Sequence, residues 1–452
     1  MQRPMNRRGF LQLGVNTLAS SGLLATLGTF ERALAAADTT GYRALVCVYL
    51  FGGNDAFNTL IPRSTDAYNQ YSQSRGSLAI QRSKLLAINP HSSDGNQYGV
   101  HPSCKGIQTL FNNGNLAFVA NVGSLVRPVT RAQFLSGTAD LPLQLFSHED
   151  QTVQWMTGRS DSPDRQGWAG RIADLLATQG YSPKLSLNIS LAGTNLWQSA
   201  GSVLPYNLGK NGAATLDIQG FPGGAGRVDA YLKLLQQAQA DPSLMAQQFA
   251  LTETRGLELG KMINDGLGSV PGFKTKFPAT TLGGDLHLVA RMIAARSQLG
   301  AARQIFFVSH PGFDTHDNQL SQHAELLQVL SDAVKAFHDA TVEIGADQLV
   351  TTFTASEFGR TLSSNGDGTD HAWGSHHFAI GGAVKGQDIY GAMPNLTING
   401  PDDVDTGRII PTQAMDQYGA TLARWFGISG SDLDLVFPNL ANFDKRDLGF
   451  MS

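Results

Sequence analysis

The chain has 452 residues, 42% of them hydrophobic, which is enough for one large domain or two or three ordinary ones around a sizeable core. Its 33 Lys and Arg and 37 Asp and Glu residues are interspersed and give a net charge of −4, so composition offers no basic face for nucleic acid. The 50 glycines exceed the usual ~7% and predict many tight turns. These features exclude a disordered chain and argue against a nucleic-acid partner.

The N-terminus has the composition of an export signal. Asn6 to Gln12 (NRRGFLQ) resembles the twin-arginine export signature, and an apolar run and small residues follow up to Ala37. Polar residues interrupt the ~20 apolar positions that a helix needs to cross a bilayer. We therefore predict a twin-arginine signal peptide at residues 1–37, the twin-arginine export machinery as a partner, no stable membrane span, and a periplasmic or secreted mature protein.

Four apolar runs have the pattern of buried parallel strands. They span residues 42–51, 116–122, 304–309 and 349–354, and each is followed by polar and glycine residues. Helical periodicity over residues 320–344 predicts a crossover helix between the last two runs. Because ligands bind an open α/β sheet at the carboxyl ends of its strands, we expect the functional site at that edge.

The region between the second and third runs is mainly helical in pattern. Residues 228–267 and 285–300 have helical periodicity, and the first of these has no strand pattern beside it. No internal repeat or low-complexity linker separates two domains. We therefore predict one domain over residues 38–452 with a largely helical insertion or cap at roughly 160–282. Cys47 and Cys104 leave two alternatives open, a disulfide or a buried thiol at Cys47.

Carboxylates and imidazoles accumulate after the apolar runs. The candidate metal ligands are Asp55, Asp314, His316, Glu357, Asp370, His371, His376 and His377. The segment 363–378 (SSNGDGTDHAWGSHHF) alone contains three of the eleven histidines, more imidazole than a solvated loop requires. Such oxygen and nitrogen ligands suit divalent Zn, Mn, Mg or Ca ions, whose number stays open. Adjacent residues of an extended chain point to opposite sides, so we expect only one of His376 and His377 to bind metal.

The order of these motifs resembles the alkaline phosphatase-like superfamily. RRGFL, GGND, GFDTHDNQ, SEFGRT and GTDHAWGSHHF together are similar to the bacterial exported family known as domain of unknown function 1501, which is grouped with that superfamily. The resemblance covers nearly the whole mature chain and implies a three-layer α/β/α sandwich with a mostly parallel central sheet. It also implies that Asp55 is the first metal ligand and that Asp314 and His316 belong to one later position.

Two departures from the superfamily pattern leave the other ligands open. One residue separates Asp314 from His316, where phosphatases of the superfamily usually have three. Glu357 is followed by Phe358, where an Asp-His pair is typical. In one alternative Asp370 and His371 replace that pair, and His376 or His377 is the last ligand. In the other, Glu357 is the ligand at the strand end and His371 is the last one.

Ser124 and Thr130 are the candidate nucleophiles. Both follow the second apolar run, and a hydroxyl that attacks an anionic ester needs a metal ion or a helix N-terminus to lose its proton. The candidate substrate-binding residues are Arg127, Arg131, Arg360 and, in the polar cluster FSHEDQ, His148. Ala132-Gln133-Phe134 stands where many relatives have Ser-His-Phe, so water could attack in place of either hydroxyl.

These residues predict an exported metal-dependent hydrolase or transferase that acts on a phosphate or sulfate ester, either a small molecule or part of a polymer. One alternative is a non-catalytic envelope protein of hydrolase ancestry that binds a polymer or a partner. A further alternative is a serine esterase, since GGND resembles the Gly-x-Asn-Asp block of such enzymes. The chain lacks the Gly-Asp-Ser and Asp-x-x-His motifs that those esterases also need.

Overall fold

The computed structural model describes residues 40–92, 94–214 and 224–452. The predicted signal peptide at residues 1–37 lies outside them. The strands in these ranges are β1 (Arg43–Phe51), β2 (Leu60–Pro62), β3 (Leu86–Ile88), β4 (Tyr98–Val100), β5 (Leu116–Gly123), β6 (Asn188–Ser190), β7 (Tyr206–Asn207), β8 (Arg303–Pro311), β9 (Val350–Ala355), β10 (Ser375–Ile380), β11 (Asp388–Tyr390) and β12 (Gln413–Ala414).

The α-helices in the same ranges are α1 (Thr65–Arg75), α2 (Lys105–Asn112), α3 (Arg131–Ser136), α4 (His148–Thr157), α5 (Trp168–Thr178), α6 (Gly224–Ala238), α7 (Leu244–Ser269), α8 (Thr281–Ala294), α9 (Gln319–Glu343), α10 (Met415–Phe426) and α11 (Asp432–Val436). None of these described helices is both long and apolar enough to cross a membrane.

Nine of the described strands form one mixed central sheet. Its order is β11-β5-β10-β9-β1-β8-β6-β7, and β12 also pairs with β5. All of its pairs are parallel except those of β10 with β5 and β9. The four predicted strands correspond to β1, β5, β8 and β9, so the prediction of a mostly parallel α/β sheet is confirmed.

Helices cover both faces of this sheet. Ala44, Val46 and Val48 of β1 point into a core that includes residues of α2, α8 and α9. The alternate residues of β1, including Cys47, point into a second core with residues of α5, α10 and α11. This arrangement is the expected three-layer sandwich. Cys47 and Cys104 are both free and buried, and they lie in different cores on opposite faces of the sheet.

Strand β10 differs from the sequence prediction. None of the four predicted strands lies in the histidine-rich segment, whereas residues 375–380 of that segment form a strand between β5 and β9. The strand begins with the polar residues Ser375, His376 and His377, which do not form an apolar run. Pairing with β5 and β9 on both sides makes this segment a strand. The predicted insertion at roughly 160–282 includes α5, α6 and α7, but its residues also form β6 and β7, which extend the central sheet beside β8.

A buried ion pair connects three segments near the carboxyl ends of β1 and β9. Arg75, the last residue of α1, is fully buried and donates to Asp55 Oδ2 in the loop after β1. The same guanidinium donates to the carbonyls of Thr361 at 2.8 Å and Leu362 at 3.3 Å, in the segment after β9. Asp55 also accepts a hydrogen bond from the Gln319 side chain at the start of α9.

Replacing Arg75 by Met should lower the free energy of unfolding by about 3–5 kcal/mol, because the buried Asp55 carboxylate loses its counter-charge. Urea denaturation followed by tryptophan fluorescence measures the change. Arg82→Met removes an exposed arginine and should change stability by no more than about 0.5 kcal/mol. The double variant Arg75→Met/Asp55→Asn should recover part of the loss, and equal losses in the Arg75 and Arg82 variants would contradict the role of the pair.

The adjacent histidines of β10 both lie in the protein interior, on opposite sides of the strand. His376 accepts a hydrogen bond at Nδ1 from the Asn121 amide at 2.9 Å. His377 packs against Trp155 and Tyr418, with ring centroids 4.7 and 5.9 Å away. Burial lowers the pKa of each histidine to about 3. Both rings are therefore neutral at physiological pH.

This burial makes stability depend on pH. The unfolded chain has ordinary histidines with a pKa near ~6.5, so it binds more protons than the folded protein below that value. Stability is therefore lost as the pH falls from about 6.5 towards 3. His377→Phe removes one such group and should reduce the slope of the unfolding free energy against pH, between about pH 4 and 6, by about 1.4 kcal/mol per unit.

Urea denaturation at several pH values measures this slope. His91→Phe replaces an exposed histidine and is the matched control, whose slope should equal that of the wild type. An unchanged slope in the His377 variant would show that His377 is already charged in the folded state.

Candidate metal centre

The candidate centre lies at the carboxyl ends of β1, β8 and β9. The loops that follow these strands carry Gly52, Asp314 and Glu357. Gly52 has a φ of +116°, and a Cβ at this position would collide with the backbone of Phe313 and Asp314. Only glycine fits there, because the loops after β1 and β8 approach each other so closely.

Three histidine side chains converge around the Asp314 carboxylate. Single ligand atoms of His148, Asp314 and His371 all lie within 4.8 Å of one another. Asp314 Oδ2 is 3.4 Å from His148 Nε2, and Asp314 Oδ1 is 3.3 Å from His371 Nε2. His316 Nε2 is 3.1 Å from Asp314 Oδ1 and 3.0 Å from His371 Nε2. Ligand atoms around one tetrahedral zinc ion are ~3.3 Å apart, so the spacing suits a single cation.

An acceptor orients His148 and His371 through the nitrogen opposite the cluster. His371 Nδ1 is 2.9 Å from the carbonyl oxygen of Phe146, which can only accept. His148 Nδ1 is 3.0 Å from Oε1 of Glu357. With the proton on Nδ1 in both rings, the lone pairs on Nε2 face Asp314. Metal-binding histidines in proteins are typically oriented in this way.

His316 is oriented in the same way, by an acceptor at its Nδ1. In addition, within the described part of the chain the Nε2 atoms of His316 and His148 lack the partner that a lone pair requires. His316 Nδ1 is 3.2 Å from Oδ1 of Asp370, which leaves its Nε2 directed at His371 Nε2. Two lone pairs at that separation repel each other unless a cation or a proton lies between them. His148 Nε2 is buried and has no hydrogen-bond partner among the residues that the structure describes. The donor set therefore fits a divalent cation.

Arg360 keeps the central carboxylate charged. Its guanidinium is fully buried and donates to Asp314 Oδ1 at 2.6 Å, to the Gly52 carbonyl at 3.1 Å, and to Thr369. Burial alone would raise the pKa of Asp314, but the hydrogen bond and charge of Arg360, with the charges of His148 and His316, outweigh burial and lower it. Asp314 is therefore anionic at neutral pH.

The pKa values of two histidines shift in opposite directions. The hydrogen bond to Glu357 raises the pKa of His148, although burial opposes it. Burial lowers the pKa of His371, although its hydrogen bond to the Phe146 carbonyl opposes this. His371 is thus ready to donate its lone pair at neutral pH.

The ring of Phe358 packs against the imidazole rings of His148 and His371. Its buried ring stacks on His371 with centroids 4.7 Å apart and lies 4.8 Å from that of His148. A Cβ at residue 53 would collide with this ring, so Gly53, with a φ of +83°, leaves the space that Phe358 occupies. The close packing fixes both rings before any ligand binds.

The other predicted metal ligands occupy different places. Glu357 and Asp370 contact Nδ1 atoms behind His148 and His316. Glu357 also accepts from the Gly52 amide at 2.8 Å, and Asp55 is paired with the buried Arg75. His376 and His377 point into the interior, as described above. The structure thus brings Asp314, His316 and His371 together, with His148, which the sequence suggested only as a substrate-binding residue.

The predicted nucleophiles are not in this group. Ser124 is fully buried. Thr130 caps α3 through a reciprocal hydrogen-bond pair with Gln133 and, with Arg131, lines a separate cleft beside Pro411 and Phe443. Arg131 donates to the Asp403 carbonyl at 2.6 Å.

The predicted anion-binding arginines are also engaged elsewhere. Arg127 forms an exposed ion pair with Asp140 at 2.8 Å. Arg360 is buried, and its donors are directed at protein oxygen atoms.

The sequence around His148 contains a local signal for its position at the start of a helix. Ser147 caps the N-terminus of α4, where it accepts a hydrogen bond from the Asp150 amide, and this places His148 as the first residue of the helix. A capped helix start predicts where His148 lies along its own helix. The approach of that helix to the end of β8 is a tertiary fact that no local pattern contains.

Comparison with known proteins identifies a family. No curated protein matches the chain. Among solved structures, it is similar to Ps i-CgsB in complex with k-i-k-neocarrahexaose, with a TM-score of 0.38, 9% identity, and coverage of 90% of this chain and 77% of that chain. It is also similar to the PsFucS1 sulfatase from Pseudoalteromonas sp., with a TM-score of 0.32, 10% identity, and coverage of 82% and 68%. Residues 42–410 match the family model described as Protein of unknown function (DUF1501), and the chain therefore belongs to the DUF1501 family.

Proposed function

We propose that this protein is a metal-dependent hydrolase acting on a phosphate or sulfate ester. Its cation would be held by His148, Asp314 and His371, and His316 lies beside them with its Nε2 3.0 Å from that of His371. The observation that carries the proposal is the convergence of imidazole Nε2 atoms on one carboxylate, each ring having its Nδ1 on an acceptor. Imidazole suits zinc better than magnesium or calcium, so among the predicted ions zinc is the leading candidate.

The residues around the cluster orient it and set its charge. Glu357 and the Phe146 carbonyl fix the rings of His148 and His371, and Arg360 holds Asp314 as an anion. When bound, a divalent cation supplies a Lewis acid that polarises an ester and favours deprotonation of water. Because Ser124 and Thr130 lie apart from the cluster, we propose that water is the attacking group. The ester would enter the cleft lined by His148, Asp314 and Glu357.

Export is a second part of the proposal. The pair Arg7-Arg8 and the apolar run after it support transport of the folded protein by the twin-arginine machinery. That route would place the enzyme in the periplasm or outside the cell, where phosphate or sulfate esters carried on small molecules or polymers are accessible to it.

Elemental mass spectrometry of the purified mature protein should find zinc near one ion per chain, because His148, Asp314 and His371 offer three ligand atoms and leave a fourth position for water or substrate. Asp314→Asn and His371→Ala should each lose most of it. His91→Ala changes an exposed histidine elsewhere and should keep the wild-type content. A wild type that folds yet takes up no divalent metal, even when dialysed against zinc, would overturn the proposal.

A screen of chromogenic phosphate and sulfate esters with added Zn²⁺, Mn²⁺, Mg²⁺ or Ca²⁺ should reveal hydrolysis that a chelator abolishes. Glu357→Gln should lower metal affinity or activity about 10- to 100-fold, since it weakens the acceptor that orients His148. Thr130→Ala should retain the wild-type rate if water is the attacking group. Stoichiometric metal with no hydrolysis of any ester would favour the alternative, a non-catalytic envelope protein that binds a polymer or partner.

A further inference from the structure

An open cleft of ≈ 640 Å³ extends away from the candidate metal centre. His148, Asp314 and Glu357 form its polar end. Its remaining wall is largely apolar, and the apolar side chains in it are Phe51, Val153, Met156, Leu196 and Pro311. A surface of this kind next to a reactive site has a direct use, because it can bind the part of a substrate that does not react.

Helix α4 connects the polar end of the cleft to the apolar wall. His148, Thr152 and Met156 are spaced four residues apart, so they lie along one stripe of the helix. At a rise of 1.5 Å per residue, Thr152 is ~6 Å and Met156 ~12 Å from His148 along the helix axis. A ligand whose polar group is held at His148 would therefore lie over this stripe for about two helical turns.

The ends of two neighbouring strands contribute to the same wall. Phe51 ends β1 and is paired with Pro311 at the end of β8. Leu196, from the segment between β6 and β7, adds a third apolar side chain. Because these residues come from three separate segments, the apolar wall is a product of tertiary packing.

The described lining of the cleft offers no lysine or arginine to a second anionic group. Apart from the three polar residues at the cluster, its side-chain hydrogen-bonding groups are limited to Thr152 and Glu149, and Glu149 is acidic and exposed. A sugar needs several hydrogen-bond partners, and a polysulfated chain needs cations. Neither requirement is met along this wall.

We propose that the cleft binds the alcohol half of the ester and that this half is apolar, an aryl or alkyl group roughly 6–12 Å long. The proposal rests on the proposed function for the position of the reacting group. The apolar subsite itself requires no metal, so it can be tested separately.

Equilibrium dialysis with 2-naphthol, which has no anionic group, tests the subsite directly. Val153→Thr keeps the shape of the side chain but replaces a methyl group with a hydroxyl, and it should weaken 2-naphthol binding about fivefold. Val129→Thr is the matched control, because Val129 is also half-buried but lines the separate cleft beside Thr130. It should bind 2-naphthol as the wild type does. Leu196→Asn should weaken binding in the same direction and serves if the Val153 variant does not fold.

The outcomes separate the subsite from the metal chemistry. His371→Ala should lose its metal and still bind 2-naphthol, which would support the subsite whatever the result of the ester screen. Binding that is absent in the wild type, or equally weakened by Val153→Thr and Val129→Thr, would overturn the subsite even if the metal is present. Tighter binding of a monosaccharide sulfate than of 2-naphthyl sulfate to the metal-loaded protein would also overturn it.

Discussion

The buried guanidinium of Arg360 is the constraint on which the carboxyl edge of the sheet depends. An arginine side chain stays protonated even when it is buried, so protein oxygen atoms must compensate its positive charge. It takes them from the loop after β1 at Gly52, the loop after β8 at Asp314, and the segment before β10 at Thr369. One side chain thereby sets the relative positions of three loops and holds Asp314 as an anion. A second buried network supports it, since Thr369 donates to Gln319 at 2.5 Å and Gln319 donates to Asp55, the partner of Arg75.

The histidines near this edge show how burial and acceptors produce different chemistry from the same side chain. His148 and His316 each have a carboxylate on Nδ1, which directs their Nε2 atoms at the Asp314 carboxylate. His376 and His377 lie in the interior without such a carboxylate, and burial holds them neutral. The proposed centre therefore depends less on the number of histidines than on the acceptor behind each one. The aromatic ring of Phe358 adds rigidity, which reduces the conformational cost of assembling the ligands.

The proposed chemistry and the proposed substrate shape come from the same helix. Ser147 caps α4 and places His148 at its first turn, while Thr152 and Met156 follow on the same stripe. A substrate would thus be held at one end by charge and along its length by apolar contact. This division differs from the expectation of arginine-rich anion recognition. Arg127 and Arg131 are engaged at other places, with Asp140 and the Asp403 carbonyl. Charge at the centre would come mainly from a cation and from Arg360 acting through Asp314.

The sequence by itself determined the strands β1, β5, β8 and β9, the helix after β8, and the loops that carry Asp314, His316, Glu357 and His371. Continuous apolar runs and helical periodicity are local patterns, and the motifs after them are sufficient for the family resemblance. Only the tertiary structure decided which of those side chains meet. Strand β10 pairs with β5 and β9 inside a sheet that is covered on both faces, so His376 and His377 are both buried although they point to opposite sides of the strand. His148 entered the centre because α4 begins beside the loops after β8 and β9, where His148 contacts Asp314 and Glu357. Contact between segments so distant along the chain is specified by the whole core, which no single stretch of residues encodes.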